Sequence, residues 1–159
     1  MGGQGSSHST VDAMNQKEAQ ALIANESKLV MVEFYSDTWG PCKALAPVLE
    51  QLAKENAKKV RIVKVDAYQN SQWAAKEKIR SVPTIQFYRK GEKVHQFSGS
   101  YPKDVIQQQI DLHAASWGKE TDEDGNPIVP AIQPMPKEWM PPGVTPEWLE
   151  FHELVFPLF

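Results

Sequence analysis

The sequence predicts an α/β fold of three layers, a central mixed sheet with helices on both faces, followed by a C-terminal extension of different character. Two observations carry the fold. Stretches at helical spacing alternate with dense or alternating strand-like runs through residues 11–117. The last two strand-like runs are joined by Lys90-Gly91-Glu92, a hairpin signal, so parallel and antiparallel neighbours must share one sheet. A third observation sets the boundary. Residues 1–117 carry 15 Lys and Arg against 12 Asp and Glu, whereas residues 118–159 carry 2 against 8 and hold eight of the twelve prolines.

The elements follow in order. Residues 1–10 are rich in Gly and Ser and read as a flexible arm. Residues 15–25 begin with polar groups and continue with good helix formers, which predicts a short helix. Residues 28–35 (KLVMVEFY) form a dense apolar run, the signature of a central strand buried on both faces. From Pro41 to about Lys58, Leu45, Val48, Leu49 and Leu52 recur at helical spacing. Pro41 falls in the first turn, where proline is tolerated, and Pro47 falls inside, where it predicts a kink. Residues 60–66 (VRIVKVD) alternate as a strand, and residues 71–79 form a short helix. Residues 84–88 and 93–97 are the hairpin strands. Residues 104–117, entered through Pro102, place Val105, Ile106, Ile110 and Leu112 in helical rhythm.

Composition excludes several function classes. A formal charge of -3 argues against binding nucleic acid through a broad basic surface. No apolar run approaches the length needed to span a bilayer. The start of the chain has no apolar segment of the secretory type. One cysteine, Cys42, permits no internal disulfide and no thiolate-rich zinc site, and the four histidines lack ligand spacing. We therefore expect no metal, no cofactor and an intracellular, reducing compartment, cytoplasmic by default with an organelle left open.

Trp39-Gly40-Pro41-Cys42-Lys43 lies between the central strand and the long helix. Around it stand Glu33 in the strand, Pro47 in the helix, Lys64 and Asp66 in the next strand, Ser81-Val82-Pro83-Thr84 before the hairpin, and Gly99 at its end. In this order and spacing the segment 11–117 resembles the thioredoxin family. The resemblance implies a thioredoxin-like fold, a cis peptide bond before Pro83, and a peptide-binding groove formed by Val82, Pro83 and Thr84 beside the motif. It also exposes a departure, because Trp39 stands where thioredoxins carry the first cysteine of Cys-Gly-Pro-Cys. The distance from Glu33 to Cys42 is kept, so this is a substitution and not a slip.

Dithiol–disulfide exchange needs an attacking thiolate, which the family places just ahead of a helix N-terminus, where the dipole favours it. Trp39 has no nucleophile. The resemblance puts Cys42 at the resolving position, with nothing to resolve, and it reads as a small apolar filler. Glu33 then reads as a partly buried acid paired with Lys64. Two readings stand for Trp39: an exposed anchor for a partner, or a side chain folded back to plug the groove.

The extension, 118–159, opens with an acidic, loop-like stretch. It continues with Trp139, Trp148, Phe151, Phe156 and Phe159 among prolines that favour extended and turn conformations. A short helix fits residues 146–154. So much aromatic surface calls for a protein partner, with packing on the chain's own domain as the alternative. Gly2 with Ser6 fits the N-myristoylation pattern, and no basic cluster follows to reinforce membrane association.

The functional expectation is a non-catalytic thioredoxin-like interaction module, an accessory or structural subunit of a larger assembly, without dithiol oxidoreductase activity. The alternatives are a monothiol redox protein acting through Cys42 and a chaperone-like peptide binder.

Overall fold

The computed structural model describes residues 10–115, Glu123 and Asp124, and the backbone of Phe156 and Pro157. A five-stranded sheet forms the middle layer. Its strands are β1 (Asp12–Ala13), β2 (Leu29–Tyr35), β3 (Val60–Asp66), β5 (Thr84–Arg89) and β6 (Glu92–Ser98), in spatial order β1-β3-β2-β5-β6. The pairs β1–β3 and β3–β2 are parallel, and β2–β5 and β5–β6 are antiparallel. The sheet is mixed, as the hairpin signal requires. Two further short strands, β4 (Ser81–Val82) and β7 (Phe156–Pro157), pair with each other outside this sheet.

Strand alternation sorts the core into two halves. Val30, Val32 and Phe34 of β2, with Val63 and Val65 of β3, face a cluster holding Ala19 and Ile23 of α1 (Gln16–Asn25) and Trp73 and Ala74 of α3 (Ser71–Lys76). Leu29, Met31, Val60 and Ile62 face the other side, against Leu45, Leu49 and Leu52 of α2 (Gly40–Glu55) and Ile106 and Ile110 of α4 (Lys103–Ala114). Both faces of β2 are therefore buried, which explains an apolar run interrupted only by Glu33.

The helix ends have local causes. Asn15 caps α1 in a reciprocal box, its side chain accepting from the Glu18 amide while the Glu18 carboxylate accepts from the Asn15 amide. The helix predicted over 71–79 stops at Lys76, because Lys78 adopts a left-handed φ of 59° that helical geometry does not admit. The last helix stops at Ala114, short of Trp117. There Arg89 Nη1 donates to the carbonyls of His113, Ala114 and Ala115, satisfying helix-end acceptors and placing a cation at the negative end of the dipole. Helix α2 runs through Pro47 and keeps it on the exposed face. The hairpin turns at Lys90 and Gly91, both at positive φ, the geometry that matches strand twist.

Strands β1, β4 and β7 are not read from the sequence. Each is two residues long, too short for any periodicity to register. The arm before Thr10, Gly2 and most of the extension, including Trp139, Trp148, Phe151, Phe159 and the helix expected over 146–154, lie outside the described residues.

Candidate functional site

The site forms where β2 ends, α2 begins and β4 leads into β5. Trp39 is the N-cap residue of α2, in extended conformation, and its side chain makes no capping hydrogen bond. Gly40 and Pro41 open the first turn. The Trp39 carbonyl accepts from the Lys43 amide, so the helix begins without a side-chain cap. Cys42 therefore sits one turn inside α2, three residues beyond the position that faces the helix N-terminus.

Burial decides what these groups can do. Trp39 is 5% exposed and Cys42 5% exposed, and both belong to the same buried cluster as Val82 and Trp73. Trp39 thus does not project into solvent. Pro41, Val82, Pro83 and Thr84 are also buried. The Val82–Pro83 bond is cis, and the Thr84 hydroxyl contacts the Ser81 carbonyl and the Ser98 hydroxyl, each at 2.8 Å. Gly99, at a φ of 100°, follows β6, and its amide donates to the Pro83 carbonyl at 2.8 Å. This ties the loop before β5 to the end of the hairpin.

Behind Cys42 lies a cavity of about 90 Å³ lined by Glu33, Tyr35, Ser36, Asp37, Lys43 and Lys64, among others. Glu33 is 2% exposed, and its Oε2 has no hydrogen-bond partner among the described residues. Burial pushes its carboxyl up to about 8; the Lys64 cation opposes this and the Asp37 charge adds to it. The Cys42 thiol is pushed far above the usual thiol range, first by burial and then by Glu33, with the Ser36 backbone hydrogen bond pulling the other way. At neutral pH the group is a protonated thiol, the inert form.

The expected Glu33–Lys64 ion pair is absent. The two residues are register partners across β2 and β3, but the Lys64 ammonium lies 4.9 Å from the centre of the Tyr35 ring, a cation–π placement. The lysine reaches past the carboxyl to a half-exposed aromatic face, where its charge keeps solvent. Among the described residues there is no cluster of three or more His, Cys, Asp and Glu able to hold a metal, and no helix long and apolar enough to cross a membrane.

Phe156 is the one expected tail contact whose backbone is described. It faces this chain's own Val82, in the antiparallel β4–β7 pair.

The family comparison agrees with this architecture. The sequence model of the family named Thioredoxin matches residues 10–112, and the chain belongs to that family. It is similar to thioredoxin of Bacillus subtilis, 38% identical over 95 residues, covering 59% of this chain and 91% of that one. It is also similar to the chloroplastic M-type thioredoxin of Pisum sativum, 31% identical over 103 residues, which make up 65% of this chain and 60% of the pea protein. Among solved structures, a mutant thioredoxin of Halobacterium salinarum superposes with a TM-score of 0.65 at 27% identity, covering 71% of this chain and 97% of that one. These relatives are named as thioredoxins; this chain has a single cysteine and no disulfide pair.

Proposed function

We propose that this chain is a non-catalytic thioredoxin-like interaction module, an accessory or structural subunit of a larger assembly, working in a reducing intracellular compartment without dithiol–disulfide exchange. The observation that carries the reading is the residue at the N-cap of α2. Trp39 occupies the place where the helix dipole would activate a thiolate, and the chain's one cysteine lies a turn further in, buried and protonated. Exchange needs an attacking thiolate and a second thiol to release the mixed disulfide. Neither is supplied. The same burial argues against a monothiol enzyme built on Cys42. The aromatic and proline-rich extension, charged oppositely to the domain, supports a role in contact with another protein.

Two measurements test the reading. The purified chain is expected to leave the reduction of a protein disulfide by dithiothreitol no faster than buffer alone. In a gentle extract of its native cells, the chain is expected to travel in a particle several times its own mass. Catalysed reduction, or migration as a free chain of 17.9 kDa, overturns it.

A further inference from the structure

The β4–β7 pair has a feature that its short length conceals. In an antiparallel pair, facing residues alternate between those that exchange two N–H···O bonds and those that exchange none. Pro157 faces Ser81 and has no N–H. Ser81 and Pro157 are therefore the non-bonded pair, and Val82 and Phe156 are the pair that exchanges both bonds. A slip of one residue would bring Pro157 opposite Val82 and remove the donor, so the proline fixes the register. Both backbone polar groups of Val82 are thereby taken by this chain's own C-terminal segment.

Val82 is no ordinary edge residue. Its side chain is fully buried in the cluster that includes Trp39 and Cys42, so β4 is held rigidly beside the start of α2. β4 is not part of the main sheet, and β7 is its strand partner. An edge of this kind is where an extended peptide from another protein adds as a strand, using the same N–H and C=O. The segment that occupies it has the composition such an edge accepts. Phe156 and Pro157 are uncharged and stand in a stretch of sequence, LVFPLF, without a charged side chain.

We propose that the Phe156-Pro157 segment is a built-in peptide ligand that adds to β4 at Val82 and closes this edge to extended apolar peptides from other chains. The closure is competitive. A tethered segment acts at an effective concentration near the millimolar range, so a free peptide of equal intrinsic affinity must exceed that concentration to displace it. The proposal is independent of whether the chain works within an assembly, and its test reads the edge itself.

The experiment compares three chains: the full chain, a chain ending at Glu153, and full-length Phe156→Pro, which keeps the tail but deletes the one N–H donor facing Val82. Hydrogen exchange of the Val82 amide is followed by NMR. Binding of a fluorescein-labelled peptide with the sequence of residues 151–159 is followed by anisotropy. We expect the Val82 amide to exchange at least tenfold faster in both variants than in the full chain, and the peptide to bind both variants at least tenfold more tightly. Should the shortened chain fail to fold by circular dichroism, Phe156→Pro carries the test alone. Equal Val82 exchange in the folded chains overturns the proposal, as does equal peptide binding, including none at all.

Discussion

Glu33 and Lys64 face each other across the parallel strands β2 and β3, yet the carboxyl is held neutral at physiological pH while the ammonium lies against Tyr35. Burial outweighs the neighbouring cation because Glu33 points toward α2 with Leu29 and Met31, beneath the first turns of the helix, whereas the lysine is long enough to reach a half-exposed ring. Holding a carboxyl there costs stability whenever the unfolded chain would ionise it.

The first prediction follows from the sign of that shift. The folded-state value is raised from 4.5 to about 8, so between these pH values the unfolded chain releases a proton that the native chain keeps. This group's contribution is fully present below pH 4.5 and is lost as the pH rises through about 8. Glu33→Gln removes the dependence. It should raise stability at pH 8 by on the order of 3 kcal/mol and change little at pH 4.5, read from urea unfolding at both values. A variant no more stable than the parent at pH 8 would contradict the assignment.

The second prediction concerns the thiol. Cys42 should react with iodoacetamide at pH 8 at least a hundredfold more slowly in the native chain than in urea, because it is buried and its pKa is raised. Trp39→Cys, in contrast, places a thiol at the N-cap of α2, where amides and dipole lower its pKa, one turn from Cys42. That variant should form an internal disulfide and gain disulfide-reducing activity at least tenfold over the parent. Deleting the buried indole should also cost about 3 kcal/mol in urea unfolding. If Trp39→Cys folds and remains inactive, the missing thiol is not what keeps this chain from disulfide exchange.

The sequence carried the long elements because each is long enough to show a dense apolar run or a period. The run LVMVEFY and the helical spacing of Leu45, Leu49 and Leu52 correspond to observed burial, and VRIVKVD is a strand, although Arg61 is buried where a polar face would expose it. The motif residues stand in the order of the family's motif, so the sequence alone places Trp39 and Cys42 beside Val82 and Pro83. Three things escaped. A two-residue strand has no period, so nothing in Phe156-Pro157 announced its pairing with Ser81–Val82. The helix over 71–79 stops early because Lys78 adopts a backbone conformation that lysine rarely takes, and composition gives no warning of it. The Glu33–Lys64 pair failed because register sets which residues are neighbours, not where a four-carbon side chain ends.

A third prediction rests on two histidines never assigned a role. His95 on β6 and His113 near the end of α4 stack with ring centres 4.8 Å apart, packed on Phe87, with Phe97 beside His95. Their Nε2 atoms are buried and have no hydrogen-bond partner among the described residues. Burial lowers both pKa values, that of His113 to about 4, helped by repulsion from His95. The unfolded chain therefore binds protons that the native chain refuses between about pH 6.5 and 4, so stability is flat above this window and falls with pH through it. His113→Leu should remove part of the fall, about 1 kcal/mol once solvent screening of these half-buried rings is counted. Thermal unfolding at pH 7 and pH 4.5 checks it: the gap between variant and parent should widen at the lower pH, and a constant gap would assign the acid sensitivity elsewhere.

The last prediction lies at the opposite edge of the sheet. Arg61 of β3 is 4% exposed, and its Nη2 donates to the Asp12 carboxylate of β1 at 2.7 Å. Its Nε and Nη1 have no hydrogen-bond partner among the described residues, so Asp12 is the one carboxylate this guanidinium meets there. Guanidinium cannot shed its proton to escape burial, and losing its counter-ion leaves an uncompensated charge. Asp12→Ala should cost about 2 kcal/mol, below the range for fully buried pairs because the Asp12 carboxylate is half exposed. The charge is the cause of this cost, so removing the charge as well should recover most of it. The double variant Asp12→Ala with Arg61→Met is therefore expected to be more stable in urea than Asp12→Ala alone. Equal stability of the two would mean that Asp12 acts by holding β1 against β3 and not by neutralising Arg61.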